Sequence, residues 1–357
     1  MENRKDEKKV VGENKCIAVD SGKSATKVAI FDAQAMTVSR KKFLTKISRG
    51  YFEDDALERN TVIMEFGGQV YKIGRGAISE AEMETSKKTD IHKLCTLKAI
   101  AENIGSGKTE DVHVAIGMPV KEWENVQKRI EYKNFILPDE EVHVKLMDRA
   151  NGRIQEKSFR VVSKHAYPET MGALFARENP SMGTQGVVDL GHLNNNCAVW
   201  NGNELDPVYT LTDILGGNNL VTGLAQELTA AFTMCDEKTV ARILASGEEE
   251  RYLHPNKPNP ELEQRSKEII DEYLLNHVKE IKKKLDVKHW PLDYMDLTFI
   301  GKTTTLLENE IKAVFGPAAF IPKDPEFANA LGFLRVLAGK IYQYDIINLL
   351  NLQKTTM

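Results

Sequence analysis

The sequence predicts an α/β protein built of two similar domains, each opening with a β-hairpin. Two observations carry this. The pattern Ile17-Ala-Val-Asp20-Ser-Gly22, followed by Lys27-Val-Ala-Ile-Phe-Asp32, has a second copy about half a chain later. That copy is Gly186-Val-Val-Asp189-Leu-Gly191, followed by Asn196-Cys-Ala-Val-Trp-Asn-Gly202. Each is an apolar strand ending in Asp-x-Gly, a short polar turn and a second apolar strand. After each copy, strand and helix patterns alternate, which argues for α/β layers with mixed sheets. At 357 residues and 41% hydrophobic content, the chain is long enough for two such domains.

Further elements follow in order. Gln69–Gly74 reads as a third strand, residues 91–103 as a helix, and Val112–Gly117 as a buried strand closed by Met118-Pro119. In the second half, Leu220, Leu224, Ala225, Leu228 and Phe232 recur at helical spacing, and Ile269–Leu285 carries another amphipathic stripe. Residues 246–262 read as an exposed loop, Leu297–Gly301 as a strand and residues 303–315 as a helix. Asp324-Pro325-Glu326 predicts a helix start, with an N-cap acid before a proline. The apolar stretch Ile341–Leu352 is expected to dock on the first domain. The expected division is a charged tail at 1–15, a first domain at 16–168 completed by 331–357, and a second domain at 169–330.

Composition excludes several classes. A net charge of −4 offers no general attraction to DNA, so direct specific nucleic-acid binding is not expected. The first fifteen residues carry mixed charge without an apolar stretch, so no signal peptide is expected, and no run is long enough to span a bilayer. Cys16, Cys95, Cys197 and Cys235 form no Cys-x-x-Cys pair, and a reduced cytoplasmic protein is the simplest expectation.

A tight turn between strands exposes successive backbone N–H groups, and glycine lets a phosphate come close. Asp20-Ser21-Gly22-Lys23-Ser24 and Asp189-Leu190-Gly191-His192 could each form such a turn. If the two halves face each other, both turns would grip one polyphosphate. Carboxylates repel phosphate, so Asp20 and Asp189 make sense as ligands of a Mg²⁺ ion through its waters. Lys27 could add a point charge. Gly22-Lys-Ser24, Gly107-Lys-Thr109 and Gly301-Lys-Thr303 mimic the end of a P-loop, but each lacks the earlier glycine that a P-loop needs.

From Cys16 to Gly339 these motifs resemble, in their order, the actin/Hsp70/sugar-kinase superfamily, and within it the bacterial plasmid-segregation actins of the ParM type. The resemblance implies an actin-like (ribonuclease H-like) fold, two similar α/β domains flanking a nucleotide cleft. Tyr167–Leu174 resembles the first connecting helix, Phe299–Thr304 the adenosine loop, and Phe327–Phe333 the second connecting helix. By that resemblance Asp20 and Asp189 hold hydrated Mg²⁺, and Glu169 orients the attacking water. Read without it, Glu169 is a first-turn helix acid favoured by the dipole. Ser21, Gly22, Lys23, Ser24, Lys27, Gly191, His192, Asn194, Gly216, Gly217, Gly301, Lys302 and Thr303 complete the expected nucleotide-binding set.

Two departures bear on chemistry. The second turn continues as His192-Leu-Asn-Asn-Asn196 where the family has glycine and threonine. Asparagine can still donate to phosphate. Lys302 stands where the adenosine loop has glycine, which leaves ATP or GTP open. The resemblance implies an ATPase that polymerises into nucleotide-dependent filaments and moves plasmid DNA through a DNA-bound adaptor protein. A metabolic small-molecule kinase of the same superfold and a poorly hydrolysing filament scaffold stand as alternatives.

Overall fold

The structure, a computed structural model, describes residues 14–50, 61–80, 86–148, 153–175, 183–232, 234–317 and 319–352. The chain begins with strands β1 (Lys15–Ser21), β2 (Ala25–Asp32), β3 (Thr37–Leu44), β4 (Lys46–Arg49), β5 (Thr61–Phe66), β6 (Gln69–Gly74) and β7 (Ser79–Glu80). Then come α1 (Asp90–Ala101), β8 (Thr109–Met118), α2 (Val120–Trp123), α3 (Val126–Ile136), β9 (Val142–Asp148) and β10 (Arg153–Pro168). The second half holds α4 (Met171–Leu174), β11 (Thr184–Leu190), β12 (Asn195–Asn201), β13 (Glu204–Asp213), α5 (Gly217–Ala231), α6 (Glu237–Ala245) and α7 (Pro260–Val287). It ends with β14 (Asp296–Ile300), α8 (Glu308–Phe315), α9 (Ala328–Tyr342) and α10 (Ile347–Leu352).

These elements fall into two units. The first comprises the described residues of Met1–Met118, Val126–Tyr167 and Ala330–Met357, and the second those of Pro119–Asn125 and Pro168–Asn329. The first unit holds one sheet in the order β3-β2-β1-β8-β10-β9-β5-β6-β4-β7. In it β1 pairs antiparallel with β2, Asp20 opposite Lys27, and parallel with β8. Helix α1 packs against β1, β2, β4 and α3, so Leu94, Cys95, Leu97 and Ile100 are all buried. Its Lys98 is buried too, with its ammonium over the Phe43 ring and bonded to Glu102 at 2.9 Å.

The second unit repeats the frame with the sheet order β13-β12-β11-β14. β11 pairs antiparallel with β12, Asp189 opposite Asn196, and parallel with β14. Successive residues of a strand point to opposite faces. Val188, Leu190, Cys197 and Val199 therefore join α5, α6, α7 and α8 in one core. Val187, Ala198 and Trp200 join Val120, Ala173 and Ala328 on the other face. A strand buried on both faces reads as a continuous apolar run, which is how both copies of the repeat appear in sequence.

Four expectations change. Helix α7 starts at Pro260, inside the stretch read as loop, because Asn259 accepts Leu262 N–H at 3.2 Å ahead of the proline. The helix expected over 303–315 divides into a 3-10 turn at Thr303–Leu306 and α8. Pro325–Phe327 is a 3-10 turn, and α9 begins three residues after Pro325. The first connecting segment is strand β10 through Pro168, and α4 begins only at Met171. At the end of the chain α10 packs against β3 in the first unit. All of residues 1–13 of the charged tail lie outside the described residues. Among the described residues no helix is long and apolar enough to cross a membrane. All four cysteines are buried and free.

Candidate functional site

In the first unit the turn between β1 and β2 is closed by Gly22 N–H, which donates to Asp20 O and Ala25 O, both at 3.1 Å. That donor is committed to the hairpin, so what Gly22 contributes is the lack of a side chain. A Cβ there would stand 2.9 Å from Ala25 O and 3.2 Å from Lys27 Nζ. The same distance places the Lys27 ammonium against the turn. A ladder of hydroxyls braces it from behind: Ser21 Oγ to Thr26 Oγ1 at 3.1 Å, then Thr26 Oγ1 to Thr45 Oγ1 at 2.9 Å. Thr45 N–H in turn donates to Ser24 O at 3.0 Å.

Asp20 is 6% exposed, and Lys87 Nζ lies 3.6 Å from its Oδ1. Lys23 Nζ donates to Ser86 O at 2.9 Å, which ties the turn to the segment carrying Lys87. Lys87 therefore faces the Asp20 carboxylate, and Lys23 is tied to the segment that carries Lys87. Their field reaches His92, a buried α1 residue whose Nδ1 hydrogen-bonds Thr89 Oγ1 at 2.7 Å. Burial first, and then Lys87 and Lys23, pull its pKa down to about 2, so it is neutral at every ordinary pH.

In the second unit the expected residues Gly191, His192, Gly216, Gly217 and Thr303 interlock. Gly191 O accepts from Gly217 N–H and from Thr303 Oγ1, each at 2.9 Å, and His192 O accepts from Asn218 N–H at 2.6 Å. The first turn of α5 is thus fastened to the Asp-x-Gly turn. A Cβ on Gly216 would meet Leu193 C at 2.6 Å, and one on Gly191 would meet Asn194 O at 2.5 Å. The Thr303 hydroxyl holds this knot together through its donated hydrogen. Lys302 is exposed, as is His192, which suits a loop residue.

The asparagine run divides its work. Asn194 stays in the turn. Asn195 is buried and donates to Leu215 O at 2.9 Å, and Asn196 Nδ2 donates to Glu169 Oε2 at 2.7 Å. Glu169 is 4% exposed and sits just after β10, ahead of α4, so it is not a first-turn helix acid. Asp189 Oδ2 accepts from Asn329 Nδ2 at 2.8 Å. Gly301, at φ +91°, lies so close that a Cβ would stand 2.6 Å from Asp189 Oδ1 and 2.4 Å from Leu190 O. The second unit therefore brings Glu169 and Asp189 into one hydrogen-bonded frame. Lys87 and Asn329 carry no role in the sequence pattern, and Asn196 is there only one of a run of asparagines that could face phosphate. The one available signal was an asparagine in the quoted segment Phe327–Phe333.

These residues suit a magnesium nucleotide. Carboxylate oxygens are the hard donors Mg²⁺ prefers, and Mg²⁺ commonly takes few of them and keeps its waters. Among the described residues no group of three or more His, Cys, Asp and Glu could hold a metal by itself. The lysines at the first turn supply the opposite charge that a polyphosphate needs.

Residues 18–172 match the family model of the N-terminal domain of actin-like proteins. No curated protein matches the sequence. Among solved structures, the Alp12 filament structure shares 22% identity over 92% of this chain and 99% of that one, with a TM-score of 0.70. An archaeal actin homolog, Ta0583, shares 14% identity over 91% of this chain and 99% of its own, at a TM-score of 0.72, and is also known as a complex with ADP. A 15-stranded ParM filament from Clostridium botulinum shares 18% identity over 93% of this chain and 100% of that one, at 0.65. With residues 18–172 matching that domain and most of its length matching these structures, the chain has an actin-like fold.

Proposed function

We propose that the chain binds a magnesium nucleoside triphosphate, hydrolyses it, and assembles into nucleotide-dependent filaments that segregate plasmid DNA through a DNA-bound adaptor. The observation that carries this reading is the paired frame: Asp20 and Asp189 end equivalent strands of equivalent hairpins. Each lies close to a glycine of the parallel neighbour strand or the turn after it, Gly117 and Gly301. Support for filaments comes from the neighbours, two of which are themselves filament structures. Support for nucleotide comes from the ADP complex of the archaeal homolog.

In this reading Asp20 and Asp189 hold hydrated Mg²⁺, which would neutralise phosphate charge when bound. Lys27 places its ammonium at the first turn, where it opposes the same charge. Glu169 orients water for attack, and Asn196 fixes one of its oxygens so that the carboxylate keeps a single direction. Head-to-tail contacts between copies do not close into a ring, so assembly continues as a filament. Which triphosphate is used stays with the experiment.

A second reading, a filament scaffold that hydrolyses poorly, draws on one observation. The side chains of Asn195 and Asn196 are committed to Leu215 O and Glu169, which leaves Asn194 alone of the three for phosphate. The deciding experiment follows light scattering, pelleting and phosphate release with Mg-ATP, Mg-GTP, Mg-ADP or no nucleotide. Scattering that rises with triphosphate and decays as phosphate appears supports the hydrolysing filament. Filaments without phosphate release support the scaffold. A monomer that turns over ATP only with small acceptors overturns both in favour of a kinase.

A further inference from the structure

Asn329 is the second residue of α9, and neither of its side-chain hydrogen bonds serves that helix. It is 4% exposed, and its amide works in both directions. Nδ2 donates to Asp189 Oδ2 at 2.8 Å, while Oδ1 accepts from Thr170 N–H at 3.1 Å. Thr170 has φ +82°, a conformation that a β-branched residue keeps only when its surroundings impose it. The surroundings are visible. Asn329 holds its N–H, Trp200 Nε1 donates to its Oγ1 at 3.2 Å, and the backbone around Gly172 presses on Asn329, where a Cβ would come within 2.4 Å of Cα. Thr170 is the direct neighbour of Glu169, whose other tie is Asn196, the residue opposite Asp189 across β11 and β12.

We propose that Asn329 is a positioning residue for hydrolysis: it locks the Asp189 carboxylate and the Thr170 backbone into one geometry, and so sets Glu169 against Asp189. The proposal rests on the hydrolysing reading above. Its two hydrogen bonds run to groups 140 and 159 residues away in sequence, so a role in local helix stability does not explain them. An amide is also the side chain this place needs, since one end must donate to a carboxylate and the other accept from an N–H.

The test measures single-turnover phosphate release of the full chain for the parent, Asn329→Ala, Glu169→Gln and the double variant. It also records the indole ¹H–¹⁵N resonances without nucleotide. Misplacing a reacting group by about 1 Å can cost about 100-fold, and a loss of that order is expected for Asn329→Ala. Because Asn329 acts partly through Glu169, adding Asn329→Ala to Glu169→Gln should slow the reaction by less than the product of the two single effects. The Trp200 indole resonance should move in Asn329→Ala as Thr170 is released. Multiplying effects in the double variant would overturn the proposal by showing a role independent of Glu169, and so would an unmoved Trp200 resonance. If Asn329→Ala does not fold, Asn329→Asp serves for the rate measurement alone: it removes the donor to Asp189 but keeps the acceptor for Thr170, so the rate should fall while the Trp200 resonance stays in place. A parent that binds Mg-ADP yet releases no phosphate from the triphosphate overturns the hydrolysis reading and the rate role with it. Even then, the Trp200 resonance separately decides whether Asn329 holds Thr170.

Discussion

The two Asp-x-Gly turns share a strand frame and differ in what surrounds them. The first is set by charge and hydroxyls: Lys87 faces Asp20, Lys23 is anchored at Ser86, Lys27 lies against Gly22, and Ser21, Thr26 and Thr45 form a ladder behind. The second is set by amides, carbonyls and close backbone contact: Asn329 on Asp189, Asn195 on Leu215, and two donors on Gly191 O. One motif has thus been built into two environments, one of which supplies charge and the other position. Charge acts over a distance that salt shortens, whereas steric fit fails abruptly with a single methyl group.

The largest expected effect comes from that steric difference. Gly301→Ala puts a Cβ 2.4 Å from Leu190 O at a φ of +91° and should cost about 3 kcal/mol in urea unfolding. Gly22→Ala meets Ala25 O at 2.9 Å without a positive φ and should cost about 1 kcal/mol. Equal losses would break the comparison. Next, Asn195→Ala takes one of two side-chain partners from Leu215 O, His277 being the other, and should cost about 1 kcal/mol. In the first turn, Lys27→Met should leave stability nearly unchanged and weaken nucleotide affinity about tenfold, or about 1.4 kcal/mol. Affinity unchanged in a fluorescent-nucleotide titration would show that this turn does not work through charge.

The strands and their aspartates were legible because their signal is local: apolar runs of strand length, broken by Asp, Gly and Asn. What could not be read were partners distant in sequence. Lys87 meets Asp20 across 67 positions whose intervening path is set by a whole sheet, and Asn329 meets Asp189 only once α9 is docked. Local polar composition also misled. The run before Pro260 reads as loop, yet it contains the Asn259 cap that starts α7. Equally illegible were the acceptors that the side chains of Lys23, Thr303, Asn195 and Asn196 meet, since those of Lys23, Thr303 and Asn196 lie far off in sequence and that of Asn195 lies beyond β13.

The smallest expected effect tests whether the charge around the first turn is felt beyond it. His92 and His277 are both buried histidines with lowered pKa values, one in each unit. For His92, Lys87 and Lys23 add to burial, whereas for His277 a hydrogen bond to Leu215 O offsets it. A histidine whose folded pKa lies below its unfolded one binds fewer protons when folded. Its stabilising contribution is therefore full above the unfolded value, about 6.5, and is lost as pH falls toward the folded value. Between pH 7 and 5.5 one such group accounts for about 1 kcal/mol of lost stability. His92→Gln should remove that loss and flatten the acid side of the profile, with His277→Gln flattening it less. Equal flattening would mean that burial suffices at both sites and that Lys87 and Lys23 add nothing to it at His92.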